Sequence, residues 1–376
     1  MSNLKVNKIP STYEFWGVKG IERLSINLDP NSKINVFIGN NGVGKTKALE
    51  CLYQSLLFSN DQYFLKDSVL FHEIKPKLVF EKAKIDNLSF WKDEPHKKNF
   101  YNEFSQIKKI VSFPIIYIPA QERGYINDKN IESIKPLGKY QERKREYFEN
   151  IYKNMNNPNN TSITEWFIQR AMSTNEYQTG IDNREIELLS VLNILNKIDE
   201  RISNDKRSFS IPGGNSVEFT IDGQKRNLKE LSTGFTSLIR IVQSIVSGYS
   251  FFTNSTDIEN EMGVVLIDEI ESHLHISWQT RILPILNKIF PNTVFIVATH
   301  SSLVLSQLYN GKAYQLVNEN GIVKNKEISN PSNEAFVDLL STAFNVNLNK
   351  IKLDNIQSEH SEKQQNNLFN ILEITN

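Results

Sequence analysis

The chain has one cysteine in 376 residues, Cys51. A single thiol excludes an intramolecular disulfide and any zinc site built on cysteine pairs, and it fits a reducing cytosol. Long apolar runs are missing as well. No stretch reaches the roughly 18 consecutive apolar residues that a membrane span needs. The first residues, Met1-Ser2-Asn3-Leu4-Lys5, carry no apolar signal core. The expected location is cytoplasmic, with no membrane partner. An excess of charge is also lacking. Lys plus Arg number 43 and Asp plus Glu 43, so no global field draws the chain to DNA or lipid. The length is enough for one large α/β domain or two smaller ones.

Against that background, the stretch Gly39-Asn40-Asn41-Gly42-Val43-Gly44-Lys45-Thr46 carries a specific signal. It follows the apolar run Ile34–Ile38 and precedes a helical pattern through Ala48, Leu49 and Leu52. A strand, a glycine-rich loop ending in Lys-Thr, and then a helix is the phosphate-binding P-loop. Glycines let backbone N–H groups turn inward, and the helix N-terminus adds positive potential. Lys45 can reach the β and γ phosphates, and the Thr46 hydroxyl can ligate Mg²⁺.

Two further apolar runs end in chemistry. Gly263–Ile267 leads into Asp268 and Glu269, and Thr293–Thr299 leads into His300. Unbroken apolar strands suit a sheet covered on both faces. With helical patterns between them, they predict an α/β fold with a largely parallel central sheet. The site then lies at the carboxyl ends of the strands. Of the nearby carboxylates, Glu269 is preferred over Glu271 as a general base, because it adjoins Asp268. His273, His275 and His300 lack the spacing of a zinc site. Ser232, taken alone, reads as a helix N-cap.

The rest of the chain gives a coarser pattern. Leu24, Ile26 and Leu28 alternate as in a half-buried strand. Lys77–Glu81 is expected as a strand of an antiparallel β patch, and Phe113–Gln121 as a buried strand ending at a polar residue. His96-Lys97-Lys98 and Asn156–Asn160 read as loops. A hairpin is expected from Ser208–Ile211 to Val217–Ile221. Leu238, Ile241, Val242 and Ile245 lie on one helix, and Trp278, Ile282, Leu283, Leu286 and Ile289 on another. Ala313–Val317 and Ile322–Val323 form a hairpin turning at Asn320-Gly321. An amphipathic helix runs through Phe336, Leu339, Leu340 and Phe344, and Leu368–Leu372 closes the chain as a packed helix or a docking segment. The expected organisation is a discontinuous head, 1–124 and 206–330, a helical insert, 125–205, and a C-terminal helical extension, 331–376.

In their order, Gly39 to Thr46, Gln121, Leu231-Ser232-Thr233-Gly234, Asp268-Glu269, Ser272-His273-Leu274-His275 and His300 resemble the ABC-type P-loop ATPases. The nearer resemblance is to the branch of RecF, the SMC proteins, OLD-family ATPases and the ATPase subunits of phage-defence operons. It covers roughly 15–56, 113–124 and 228–308. The resemblance implies that Gly39, Asn40, Asn41, Gly42, Val43, Gly44, Lys45 and Thr46 hold ATP and that Asp268 and Thr46 hold Mg²⁺. Glu269 would polarise the attacking water, Gln121 sense the metal and that water, and His300 contact the γ-phosphate. Lys19 sits where RecF and SMC proteins carry a residue reaching nucleotide phosphates. Ser232 and Gly234 belong to the signature that meets the γ-phosphate of a second copy.

The resemblance further implies an ATPase that forms a homodimer of heads, or a higher oligomer, on ATP. It implies a separately encoded toxin or nuclease as effector, with DNA or a phage protein as trigger. Two other readings stay open. One is a RecF-like repair ATPase that binds DNA directly. The other is a nucleotide-gated scaffold with little hydrolysis, because Phe235-Thr236 stand where the family usually carries Glu or Gln.

Overall fold

The strands that lead to the site lie side by side in one sheet. The computed structural model describes residues 8–60, 77–91, 111–121, 123–124, 126, 134–155, 162–329, 331–333 and 350. In chain order the strands are β1 (Thr12–Val18), β2 (Ile21–Asn27), β3 (Ile34–Ile38), β4 (Lys82–Ile85), β5 (Leu88–Trp91), β6 (Ile115–Ile118), β7 (Glu218–Ile221), β8 (Gln224–Asn227), β9 (Gly263–Ile267), β10 (Thr293–Ala298), β11 (Lys312–Glu319) and β12 (Ile322–Ile328). The helices are α1 (Lys45–Phe58), α2 (Tyr140–Lys153), α3 (Ile163–Met172), α4 (Glu185–Ile198), α5 (Thr233–Thr253), α6 (Ile276–Gln279), α7 (Ile282–Ile289) and α8 (Ser302–Ser306).

The main sheet runs β5-β4-β1-β2-β12-β11-β3-β10-β9-β6. From β11 to β6 every neighbouring pair is parallel. At the other end, β5, β4, β1 and β2 form an antiparallel patch. In the parallel half, alternate residues feed two cores. Val36, Ile38, Val265, Ile267, Phe295 and Val297 join the core that holds α3, α4, α5 and α7. Phe37, Val264, Leu266, Ile296 and Ala298 join the core that holds α1 and α2. This is why the strands read as unbroken apolar runs: each side chain is buried on one face or the other. Of α2, α3 and α4, the first packs into one layer and the other two into the other.

A polar cluster also binds the insert to α5. Glu187 of α4 is fully buried. It accepts from Arg170 Nε of α3 at 3.0 Å, Arg184 Nε at 2.5 Å and Ser250 Oγ of α5 at 2.5 Å. Among the described residues, no helix is long and apolar enough to cross a membrane.

Three local expectations need correction, and four fall outside the described residues. Lys77–Glu81 is not a strand: pairing with β1 begins at Lys82 opposite Trp16. The Gln54 side chain takes the Val79 N–H at 2.9 Å and reaches the Lys77 carbonyl at 3.4 Å in place of a strand partner, while the Glu81 N–H donates to the Trp16 carbonyl at 2.8 Å. The partner of β7 is β8, across a turn with Asp222 and Gly223 at φ 52° and 72°. Ser208–Ile211 supplies only the Ser210–Glu218 bridge. The sequence Gln-Lys-Arg-Asn gives β8 no hydrophobic alternation, although Asp-Gly is a strong hairpin signal. The helix after Glu269 is two helices, α6 and α7. Pro284 lacks an N–H and its ring opposes the carbonyl of Thr280, which ends continuity there. The loops His96–Lys98 and Asn156–Asn160, the helix through Phe336 to Phe344 and the segment Leu368–Leu372 lie outside the described residues.

Candidate active site

The carboxyl ends of β3, β10, β9 and β6 converge. Thr299 N–H donates to the Phe37 carbonyl at 3.0 Å, and Asp268 N–H to the Ile118 carbonyl at 2.9 Å. The loop after β3, the carboxylates after β9, the histidine after β10 and Gln121 after β6 are thus brought to one edge.

The loop Gly39–Thr46 needs its glycines for two physical reasons. Gly44 has φ 108°, and a Cβ there would lie 2.6 Å from Ile21 Cδ1. Gly39 has φ 144°, and a Cβ would lie 2.9 Å from the Leu316 carbonyl oxygen. Other residues avoid such backbone regions. Among the described residues no side chain caps the N-terminus of α1, so its first N–H groups remain available to an anion. Asn40, Asn41, Gly42 and Thr46 are exposed, while Lys45 is buried. Lys45 Nζ donates to the Gly39 and Asn40 carbonyls at 2.8 and 3.0 Å, folding back over the loop. Burial lowers the Lys45 pKa, and the carboxylates of Asp268, Glu269 and Glu271 work against that shift.

Thr46 and Asp268 meet directly: Thr46 Oγ1 donates to Asp268 Oδ2 at 2.8 Å. The other oxygen, Asp268 Oδ1, is buried with no partner among the described residues. Burial pushes the Asp268 carboxyl up, opposed by the Thr46 hydroxyl. An orphaned buried carboxylate oxygen beside an exposed hydroxyl fits a hard cation with oxygen ligands, so these two residues fit Mg²⁺. Among the described residues there is no cluster of three His, Cys, Asp or Glu groups arranged for a metal. A site of this type takes its remaining ligands from phosphate and water.

The two candidate bases are in different situations. Glu269 Oε2 accepts from Ser272 Oγ at 2.8 Å. Glu271 has both oxygens engaged: Thr299 Oγ1 donates to one and the His300 N–H to the other, each at 2.6 Å. Glu271 therefore ties the segment after β9 to the end of β10, and Glu269 is the less engaged of the two carboxylates. His300 is exposed. Burial of its ring edge and the Lys45 charge lower its pKa, against the pull of Glu271 and Glu269, so at neutral pH the imidazole is neutral.

Gln121 and Lys19 stay at the rim, both exposed on turns. Lys19 sits on the β1–β2 turn, two residues before the Ile21 that packs on Gly44. Ser232 and Gly234 are elsewhere. Ser232 is exposed at the tip of α5 and caps the Phe235 N–H at 3.5 Å. It opens onto a groove of about 900 Å³ whose lining includes Arg201, Phe235, His273, His275 and Trp278, with no residue of the loop 39–46. Gly234 is buried beneath His273: a Cβ would lie 2.9 Å from the His273 carbonyl oxygen.

Sequence reasoning missed one residue. Arg123, two beyond Gln121, is 2% exposed, and its guanidinium Nη2 donates to the main-chain carbonyl of Glu269. A charged residue just before Gly124, at the end of a buried strand, was the only hint.

A family model described as "AAA domain, putative AbiEii toxin, Type IV TA system" matches residues 34–306. The chain is 25% identical over 358 residues to "Retron Vc95 probable ATPase" of Vibrio cholerae serotype O1 biovar El Tor, covering 76% of this chain and 68% of that protein. It is 25% identical over 301 residues to "Septu protein PtuA" of Bacillus thuringiensis, covering 76% and 70%. Among solved structures, an SMC head bound to the C-winged-helix domain of ScpA is similar, with a TM-score of 0.48 and 14% identity over 87% of this chain and 100% of that one.

Proposed function

We propose, since this chain belongs to the AAA-domain family whose model matches residues 34–306, that it binds Mg²⁺–ATP, pairs with a second copy on ATP and hydrolyses it to control a separately encoded toxin or nuclease in antiviral defence. The observation that carries this reading is the Thr46–Asp268 pair, with a buried acceptor left open beside a phosphate-binding loop. The defence role takes its support from the retron and Septu names of the two relatives.

Each residue has a task in this reading. The loop N–H groups and Lys45 hold the phosphates. Thr46 and Asp268 would hold Mg²⁺, which when bound neutralises charge on the phosphate oxygens. Glu269 accepts a proton from the attacking water, with Ser272 fixing one of its oxygens. Ser232 and the first N–H groups of α5 face outward to meet the γ-phosphate held by the second copy. Nucleotide then joins two heads, and its hydrolysis separates them.

Phosphate release, binding of a fluorescent ATP analogue and light scattering test this together. Wild type should hydrolyse ATP only with Mg²⁺. Asp268→Asn should lose the metal dependence together with turnover. Glu269→Gln should keep ATP and accumulate as a dimer. A wild type that binds no nucleotide, or a nucleotide-loaded form that is strictly monomeric, refutes the reading. Purification from the native host with no toxin or nuclease attached would remove the effector part alone.

A further inference from the structure

We propose that Arg123 is a positioning residue: through the main chain of Glu269 it sets where the base points, and it ties the segment leading into the helical insert to the catalytic edge. This rests on the ATPase reading above and adds to it a residue outside every motif.

Three observations carry it. Arg123 is almost wholly buried, yet its Nε and Nη1 find no acceptor among the described residues. A buried guanidinium with two unmet donors is costly to keep. Its remaining nitrogen, Nη2, donates to the carbonyl of Glu269. Burial pulls the Arg123 pKa down to about 10, and the charges of Asp268, Glu271 and Glu269 resist that. The group is a cation at neutral pH, held among the carboxylates of the site.

The second observation is backbone strain. Glu269 has φ 44° and His273 has φ 69°, both in the left-handed region that non-glycine residues avoid. The direction of the Glu269 side chain depends on its backbone conformation, and the bond from Arg123 holds the carbonyl on the C-terminal side of the same Cα. The third is contiguity. Gly124, the next residue, lies against the His273 ring, where a Cβ would come within 3.0 Å, and the His273 carbonyl in turn lies over Gly234. Two successive residues just before the expected insert thus bear on the segment 269–273, which carries the base and packs beneath the Ser232 helix tip.

The test uses the full chain with Arg123→Met, which keeps length and apolar bulk, and Arg123→Lys, which keeps the charge. Each is first compared with wild type by its urea midpoint, then by ATP-analogue affinity and turnover. For Arg123→Met, affinity should stay within about threefold while kcat falls by about 100-fold, the loss expected when a catalytic group is misplaced by about 1 Å. Arg123→Lys should recover at least part of that turnover. If Arg123→Met loses affinity in proportion to turnover and Arg123→Lys does no better, the residue is only structural and the proposal is wrong. If Arg123→Met turns over like wild type while Glu269→Gln is dead, the positioning role falls and the ATPase reading stands. A wild type without turnover overturns both.

Discussion

Replacing Glu187 by Gln should loosen the attachment of the insert to α5, and the size of the effect can be worked out from the cluster around it. Glu187 is fully buried and accepts from Arg170, Arg184 and Ser250. Arg170 and Arg184 are themselves 2% and 1% exposed. The amide keeps the shape but removes the charge, leaving two buried guanidiniums facing a neutral group. Breaking a buried pair by removing one partner costs about 3–5 kcal/mol. That is a large share of the roughly 5–15 kcal/mol by which folded domains are stable.

The pH dependence has a definite sign. Burial alone would push the Glu187 carboxyl up, but the Arg170 and Arg184 charges and the bonds from Ser250 and Arg184 outweigh it and hold it below the ordinary carboxylate range. The unfolded chain therefore takes up the proton more readily. The stabilisation is complete above the unfolded value of about 4.3 and is lost as pH falls through the lower folded value. Urea unfolding followed by circular dichroism at neutral pH should show a lower midpoint for Glu187→Gln at an unchanged m value. The gap to wild type should narrow below about pH 4. As a control, Glu319→Gln removes a surface partner of Lys326 and should leave the midpoint unmoved. A Glu187→Gln protein that unfolds with wild type at neutral pH would refute the view that this cluster fastens the insert.

Two further outcomes are expected. Ser232→Ala should cost the monomer only about 1 kcal/mol, the usual worth of an N-cap, but should abolish ATP-dependent dimerisation measured by light scattering. Gly234→Ala drives a methyl group to 2.9 Å from the His273 carbonyl oxygen, so it should displace the helix tip, weakening dimerisation while one-copy ATP-analogue affinity holds.

The parts of the fold that were legible in the sequence are those where local chemistry dictates the backbone. Strands buried on both faces, such as Gly263–Ile267, read as apolar runs, and Asn320-Gly321 reads as a hairpin turn because its dihedrals, φ 55° and 86°, demand those residues. The loop Gly39–Thr46 is legible for the same reason. The features that escaped such reading depend on contacts between distant segments. Arg123 meets Glu269 across 146 positions, and nothing in its neighbours announces that carbonyl. Gln54 replaces a strand partner for Lys77–Val79, an exchange made in space. Adjacency to Asp268 favoured Glu269, but only the geometry shows that both oxygens of Glu271 are already taken by Thr299 and His300.

The same geometry bears on the departure at Phe235-Thr236. If these residues occupied the face that a second copy's phosphate would meet, their loss of polarity would argue against clamping. Thr236 does not occupy it, and Phe235, which lines the groove beside Ser232, turns its ring against Trp278. The Phe235 ring packs edge-on to Trp278 with centroids 4.8 Å apart, and the Arg201 guanidinium lies 5.5 Å from the ring centre. Thr236 is buried and its hydroxyl donates to the Ser232 carbonyl at 3.3 Å. Both side chains serve to hold the start of α5, while the groups suited to phosphate, the Ser232 hydroxyl and the open N–H groups of the first turn, stay outward. Replacing Phe235 by Glu should weaken the tip, because it removes the Trp278 packing. That ordering rests on packing alone, and it argues that the altered signature is compatible with an ATP-joined dimer.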